Sequence, residues 1–222
     1  MGGRKLSLVF AVFALVSLTG TECFFVARSG GSSSSNDGED DNNSGLIVVI
    51  KDGRLVDSPV EGVGYRSGSL VGITGTKGEF QYQVGERVSF FIGDIALGEA
   101  VDGKPLITPL DLVPQGTLDT PAVINIARFL QSLDALPDDG CITIPAAVRA
   151  AAVQSDAGLS AAIRFLDFSD NVRFTNAAAQ LVATLTANYP FTGALVDAQS
   201  AQAHLRNSLT AAGIAASIPP ER

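Results

Sequence analysis

The stretch from residue 62 to residue 97 constrains the fold most, because apolar residues alternate with polar ones and glycines stand where the alternation stops. Side chains two apart in an extended chain lie on the same face, so this pattern is typical of strands with one buried face. The apolar set is Phe80, Tyr82 and Val84, then Val88, Phe90 and Ile92. Gly85 and Glu86 separate the two runs, and we predict a hairpin over residues 79–92 with one dry face.

The flanking segments predict further short strands and no helix. Residues 46–50, LIVVI, form a continuous apolar run that indicates a strand covered on both faces, and Asp52 and Gly53 are expected to turn the chain after it. Residues 74–78 carry turn chemistry before the hairpin. Three prolines between residues 102 and 114 forbid a long helix there.

Near Asp119 the two-residue alternation of apolar side chains ends and helical signals begin. Thr120 suits a helix N-cap and Pro121 the first helical position, so a helix is predicted from Pro121 to Leu133. It is apolar around most of its circumference apart from one polar stripe, formed by Asn125, Arg128 and Ser132. A helix of this kind needs partners on more than one side, and we expect it to cover the dry face of the hairpin.

Shorter signals fill the rest of the chain. An extended piece is predicted at residues 142–144, followed by an Ala-rich helix from Pro145 to Val153. Thr175 and Asp197 are predicted to cap two further helices. Strands followed by helices indicate an α+β fold, with a small antiparallel β-sandwich-like part at residues 46–114 and a helical part at residues 115–215 packed on it.

The N-terminal sequence indicates an export signal followed by a tether. A basic start precedes 13 apolar and small residues from Leu6 to Leu18, so residues 1–23 are predicted to be a signal peptide. Residues 24–45 are rich in Ser, Gly and acidic residues and are predicted to form a disordered tether. Cys23 stands where bacterial lipoproteins carry their acylated cysteine. The sequence before it, Gly20 to Glu22, resembles a lipobox without its usual Leu.

Charge and composition exclude some classes of partner. The 222 residues carry a net charge of −8, and no basic patch is present to bind a phosphate backbone, so nucleic acid is not expected. The sequence predicts no cofactor. A membrane reached through the N-terminal anchor, and a protein or glycan ligand, are the expected partners.

Few residues have the spacing that chemistry requires. The single histidine, His204, has no second His or Cys at ligand spacing and is interpreted as a helix-surface residue. No G-x-S-x-G motif is present, and no catalytic residue is predicted. Asp134, Asp138 and Asp139 are the nearest set of carboxylates and are weak calcium candidates, because their spacing does not match a calcium loop.

The chain also resembles a known module. The segments VEGVGYRSGSLVGITGTKGEFQYQVGERVSFFIGDIALG, PLITPLDLV, PAVINIARFLQSLDAL and ITIPAAVRAAA resemble a module near the N-termini of exported lipoproteins and surface proteins of Gram-negative bacteria. These include adhesin-like and accessory colonization factor D-like chains, and the resemblance covers roughly residues 46–210. The first part is similar to the carboxypeptidase regulatory-like β-sandwich at Gly72, Thr74, Thr76, Gly78, Phe80 and Tyr82.

This resemblance implies a location and a class of function but no catalytic residues. We expect an exported protein at the outer membrane, in the periplasm or at the cell surface of a Gram-negative bacterium, acting as a binding or adhesion-type module. Two alternatives to this binding module stay open at this point. One is an enzyme with a carboxylate-based hydrolytic site, and the other is an accessory subunit of a larger surface assembly.

Overall fold

The computed structural model describes residues 48–137, 139–153, 157–188 and 193–214. The predicted signal peptide, Cys23 and the tether lie outside the described residues, as does Asp138. The described ranges hold nearly all of the predicted β part and most of the predicted helical part.

Ten short strands build the N-terminal part and its connection to the helices within the described ranges. They are β1 (Ile50–Leu55), β2 (Val60–Glu61), β3 (Gly64–Ser67), β4 (Leu70–Ile73), β5 (Glu79–Gln83), β6 (Arg87–Ile92), β7 (Ile95–Ala96), β8 (Val101–Asp102), β9 (Leu106–Ile107) and β10 (Ile142–Thr143). One sheet has the order β5-β1-β9, and a second has the order β4-β3-β6-β7, with β8 also paired to β6. Strands β2 and β10 form a separate parallel pair.

The two larger sheets face each other, which confirms the sandwich-like N-terminal part. Phe80 on β5 contacts Phe90 on β6 edge to face, with ring centroids 5.1 Å apart, and the ring centroid of Tyr65 on β3 lies 5.8 Å from that of Phe80. Aromatic pairs at these separations add to the energy of apolar burial. The dry faces that the alternation predicted are therefore real, and they largely cover one another.

The predicted hairpin over residues 79–92 is wrong as a strand pairing. Strand β5 pairs antiparallel with β1, and β6 pairs antiparallel with β3, so the turn at Gly85 carries the chain from one sheet to the other. Alternation along a strand reports which side chains are buried. The same alternation is expected whether the two strands pair in a hairpin or lie in two facing sheets. Val84, predicted on the dry face, lies beyond β5 and is 48% exposed.

The predicted turn at Asp52 and Gly53 is also wrong, because both residues lie inside β1. The strand begins later than expected, at Ile50, and Val48 is largely exposed rather than covered on both faces. Gly53 has a packing role: a Cβ there would stand 2.4 Å from the ring of Phe80. A glycine inside a strand often marks such a close approach. The residue type alone does not distinguish this role of glycine from a role in a turn.

Five helices follow in the described ranges, α1 (Pro121–Ser132), α2 (Ala146–Ala151), α3 (Ala157–Phe165), α4 (Asn171–Leu185) and α5 (Ala198–Ala211). Asp197 caps α5 by accepting from the amide of Ser200, as predicted. The cap predicted at Thr175 is wrong, because α4 starts a turn earlier and Asp170 accepts from the amides of Val172 and Arg173. None of the helices in the described segments combines the length and apolarity needed to cross a bilayer.

Helix α1 is buried almost all round, and its polar stripe faces other helices rather than water. Arg128 is 8% exposed and donates from Nε to the carbonyl of Val196, 2.8 Å away, and from Nη1 to the side-chain oxygens of Asn125 and Thr175. Its guanidinium also lies 5.1 Å from the ring centre of Phe174. This one side chain therefore connects α1 to α4 and to the segment entering α5.

The two parts of the chain share backbone pairing and one apolar core. Strand β10, from the helical part, pairs with β2, and the amides of Ile142 and Ile144 donate to the carbonyls of Pro59 and Glu61. Phe80, Phe90 and Phe129 belong to one continuous cluster of buried side chains, the main core. A second core lies between α1 and α5, formed by Leu118, Val123, Ala127, Ala201, Leu205 and Leu209.

Truncation of the α1 residue in the main core should destabilise the whole fold. Phe129 is 0% exposed, and its ring meets Phe168 edge to face at 5.9 Å. We expect Phe129→Ala to lower the free energy of unfolding by about 3–5 kcal/mol, because a buried aromatic ring is lost and a cavity remains. Urea denaturation measures this change. Phe165→Ala is the control, since that ring is 68% exposed and its loss should cost less than about 0.5 kcal/mol.

Candidate functional site

The turn between β1 and β2 places two polar side chains against the helices. Asp57 and Ser58 stand at its tip, between Val56 and Pro59, which form an isolated bridge. Ser58 has a φ of +58°, a conformation that non-glycine residues adopt only when the surroundings hold them there. Helices α1 and α5 pack over this turn through Gln131 and His204. A polar junction is thus built where the β part meets the helices.

Asp57 is an acid in an apolar setting. It is 0% exposed, and its Oδ2 accepts from Nε2 of Gln131 at 2.9 Å, while Oδ1 has no hydrogen-bond partner. Burial raises the pKa of Asp57 from 3.8 to about 7, and the hydrogen bond from Gln131 opposes this shift only in part. A carboxyl group of this kind exchanges its proton near neutral pH.

His204 is the one basic side chain among the described residues that lies within ion-pair distance of that carboxyl. Its Nε2 lies 3.9 Å from Oδ1 of Asp57 and 3.1 Å from Oγ of Ser58, and that hydroxyl also lies 3.1 Å from Oγ of Ser208. The side chain is 42% exposed, so the interpretation of His204 as a helix-surface residue holds for the outer part of the ring. No local pattern indicated its partners, because Ser58 and His204 are 146 residues apart.

The cluster contains the residue types of a serine hydrolase, but its geometry does not match one. In a catalytic triad the acid binds one ring nitrogen and the serine the other, so that the acid orients the base. Here Asp57 and Ser58 both approach Nε2 of His204. The carboxyl is also closed to substrate while α5 is in place, since none of Asp57 is exposed. The arrangement suits a buried carboxyl that binds a proton between the turn and the helices better than it suits attack on a substrate.

The predicted acidic loop is used for backbone capping. Oδ1 of Asp134 accepts from the amides of Leu136 and Thr143, and Oδ1 of Asp139 accepts from the amide of Cys141. Among the described residues no group of three or more His, Cys, Asp or Glu side chains could hold a metal ion. The described carboxylates of this loop therefore fix the connection from α1 to β10.

An open groove of about 480 Å³ lies elsewhere, where the end of α3 and the start of α4 meet α1 and the segment after β7. Phe165 and Phe168 supply aromatic surface, and Ala96, Leu112 and Ile126 supply aliphatic surface. Phe165 is 68% exposed, which is unusual for a ring of this size. No pattern in the sequence indicates α3, so this groove was not expected.

The polar groups of the groove are of both signs. Arg164, Arg173, Glu99 and Asp167 line it. Arg173 is 3.7 Å from Asp170, and Asp167 accepts from the amide and hydroxyl of Ser169. The hydrogen bonds from the hydroxyl and the amide of Ser169 lower the pKa of Asp167, and the bond from the hydroxyl has the larger effect. This carboxylate is therefore ionised and held in place at neutral pH, beside an exposed ring.

The loop geometry predicts how the protein responds to calcium. Because Asp134 and Asp139 already accept from backbone amides, we expect no calcium site tighter than about millimolar. Isothermal titration calorimetry of the protein with calcium chloride measures this affinity. Micromolar binding with a stoichiometry of one, lost in Asp134→Asn, would contradict the capping role.

Comparison with known proteins finds a partial similarity. A segment of 68 residues is 40% identical to part of "Putative lipoprotein YghJ" of Escherichia coli O78:H11 (strain H10407 / ETEC) and, equally, to part of "Putative lipoprotein AcfD homolog" of Escherichia coli strain K12. The segment is 29% of this chain and only 4% of each relative. No family model and no solved structure matches the chain. The similarity thus relates one part of the chain to one part of two much longer proteins that are described as putative lipoproteins.

Proposed function

We propose that this chain is an exported, membrane-tethered protein whose folded part binds a protein or glycan at the envelope of a Gram-negative bacterium. The anchoring half of the proposal rests on the N-terminal sequence, where a short apolar segment, Cys23 and an acidic Ser-rich stretch follow one another. The names of the two relatives, both described as lipoproteins, support the same half. The binding half of the proposal rests on the folded part of the chain.

The groove beside Phe165 is the observation that carries the binding half. Ligand sites combine apolar and aromatic surface with a few fixed polar groups, and this groove has both. The exposed ring of Phe165 gives a ligand an apolar face, with the charged side chains of Arg164 and Asp167 lining the same groove. The ring offers a stacking face, and the guanidinium and carboxylate offer hydrogen bonds of either polarity. Sugars and polar peptides both fit that chemistry.

The β part serves as a rigid support in this proposal. We also propose that the β part resembles the carboxypeptidase regulatory-like sandwich. Its two facing sheets and the aromatic contact between them support this likeness. The connection after β7 contributes Gly98 and Glu99 to the groove. Binding residues often lie on connections that a rigid scaffold positions.

One further observation favours the accessory-subunit alternative. Strand β4 stands at an edge of its sheet, and its outward side chains Val71 and Ile73 are 64% and 53% exposed. It carries no charged residue or proline of the kind that blunts edge strands. A partner strand could add to this edge. The hydrolase alternative gains no such support, because the described carboxylates considered for it are either buried or engaged with backbone amides.

Anchoring can be tested at the cysteine. Cys23→Ser should move the protein from the membrane fraction to the soluble fraction of the producing cells, because the acyl attachment point is lost. Fractionation followed by immunoblotting and mass spectrometry of the mature N-terminus measures this. Cys141→Ser is the matched control and should leave the membrane fraction unchanged. A wild-type chain that is soluble and begins after residue 23 would contradict lipidation.

Binding can be tested at the exposed ring. Glycan and peptide arrays probed with the purified protein should give a defined ligand class, and Phe165→Ala should weaken that binding at least tenfold, because the stacking face is removed. Leu136→Ala is the matched control, since Leu136 is similarly exposed, at 55%, but lies outside the groove. Equal binding by wild type and Phe165→Ala would show that the groove is not the site.

A further inference from the structure

We propose that Asp57 and His204 form a pH-sensitive latch, which holds α5 against the turn between β1 and β2 and loosens as the pH rises. The latch is an interface between three elements that are far apart in sequence: this turn, α1 and α5. It is independent of the groove and of the binding function proposed above.

The contacts at the latch are polar, and they hold α5 from two directions. Nε2 of Gln131 donates to Oδ2 of Asp57 at 2.9 Å and also lies 3.3 Å from the carbonyl of Ala201 on α5. One and two turns further along α5, Nε2 of His204 and Oγ of Ser208 each lie 3.1 Å from Oγ of Ser58. Asp57 is thus enclosed by α5, and the helix would have to move before its carboxyl met water.

The groups that face Asp57 decide how it responds to pH. Helix α1 presents the neutral amide of Gln131 to Asp57, and α5 presents His204, whose Nε2 also meets the hydroxyl of Ser58. Within the described residues no Lys or Arg lies at ion-pair distance from Asp57. His204 is therefore the one described basic side chain at ion-pair distance from this carboxyl.

The direction of the pH response follows from where the proton is held. With α5 in place the pKa of Asp57 is about 7, whereas in water it is 3.8, so the closed latch binds a proton that the open latch releases. The closed state is fully favoured below the lower value and loses its advantage as the pH rises towards the higher one. Between these limits each pH unit shifts the equilibrium towards opening by up to about tenfold.

Hydrogen exchange as a function of pH tests this latch in the full chain. We expect the protection factors of α5 amides, corrected for intrinsic exchange, to fall by about tenfold per unit between about pH 5 and pH 6.5 in the wild type. Asp57→Asn keeps the size and the acceptor for Gln131 but cannot ionise, so its protection should be flat within about twofold. Asp52→Asn removes an exposed carboxylate from β1 and should retain the wild-type slope. A flat wild-type profile, or an unchanged slope in Asp57→Asn, would overturn the proposal.

The wild-type protein alone provides a second test, because His204 is its only histidine. Its ring signals in a proton NMR titration need no assignment. We expect them to report the ionisation of Asp57, whose Oδ1 lies 3.9 Å from Nε2 of the ring. Ring signals without a step from Asp57 would show that the two groups do not share a latch, whether or not Asp57→Asn folds.

Discussion

The burial of helix α1 is the constraint on which the other elements depend. Its Phe129 and Leu130 belong to the main core, shared with the sheets, while Val123 and Ala127 belong to the second core, shared with α5. A helix that is apolar on several sides is stable in water only when all of those sides are covered. The β-sandwich, α4 and α5 are therefore interdependent, and a change at α1 is felt by each of them.

The two polar junctions around α1 are built on different principles. Arg128 is buried, but its donors reach a backbone carbonyl and two side-chain oxygens, so its desolvation is largely compensated. Asp57 has one donor for two oxygens and no fixed cation among the described residues, which makes its charged form costly. The first junction fixes the packing of the helices, and the second leaves one contact of α5 sensitive to protons.

The sequence predicted the classes of structure better than their connections. Alternation at residues 79–92 identified the buried rings correctly, yet it could not say whether β5 and β6 pair or face each other, because both leave the same faces dry. Thr175 was a good cap by type, but Asp170 lay one turn earlier and binds two amides. The cluster around His204 depends on the turn at Asp57, whose approach to α5 is set by the packing of α1 and is not encoded locally.

We expect the sheets and the helices to unfold as one cooperative unit around α1, and differential scanning calorimetry tests this most directly. A shared core and the pairing of β2 with β10 predict a single heat-absorption peak, with calorimetric and van't Hoff enthalpies that agree. Two resolved peaks, or a calorimetric enthalpy well above the van't Hoff value, would show that the β part and the helical part unfold separately and would contradict this account.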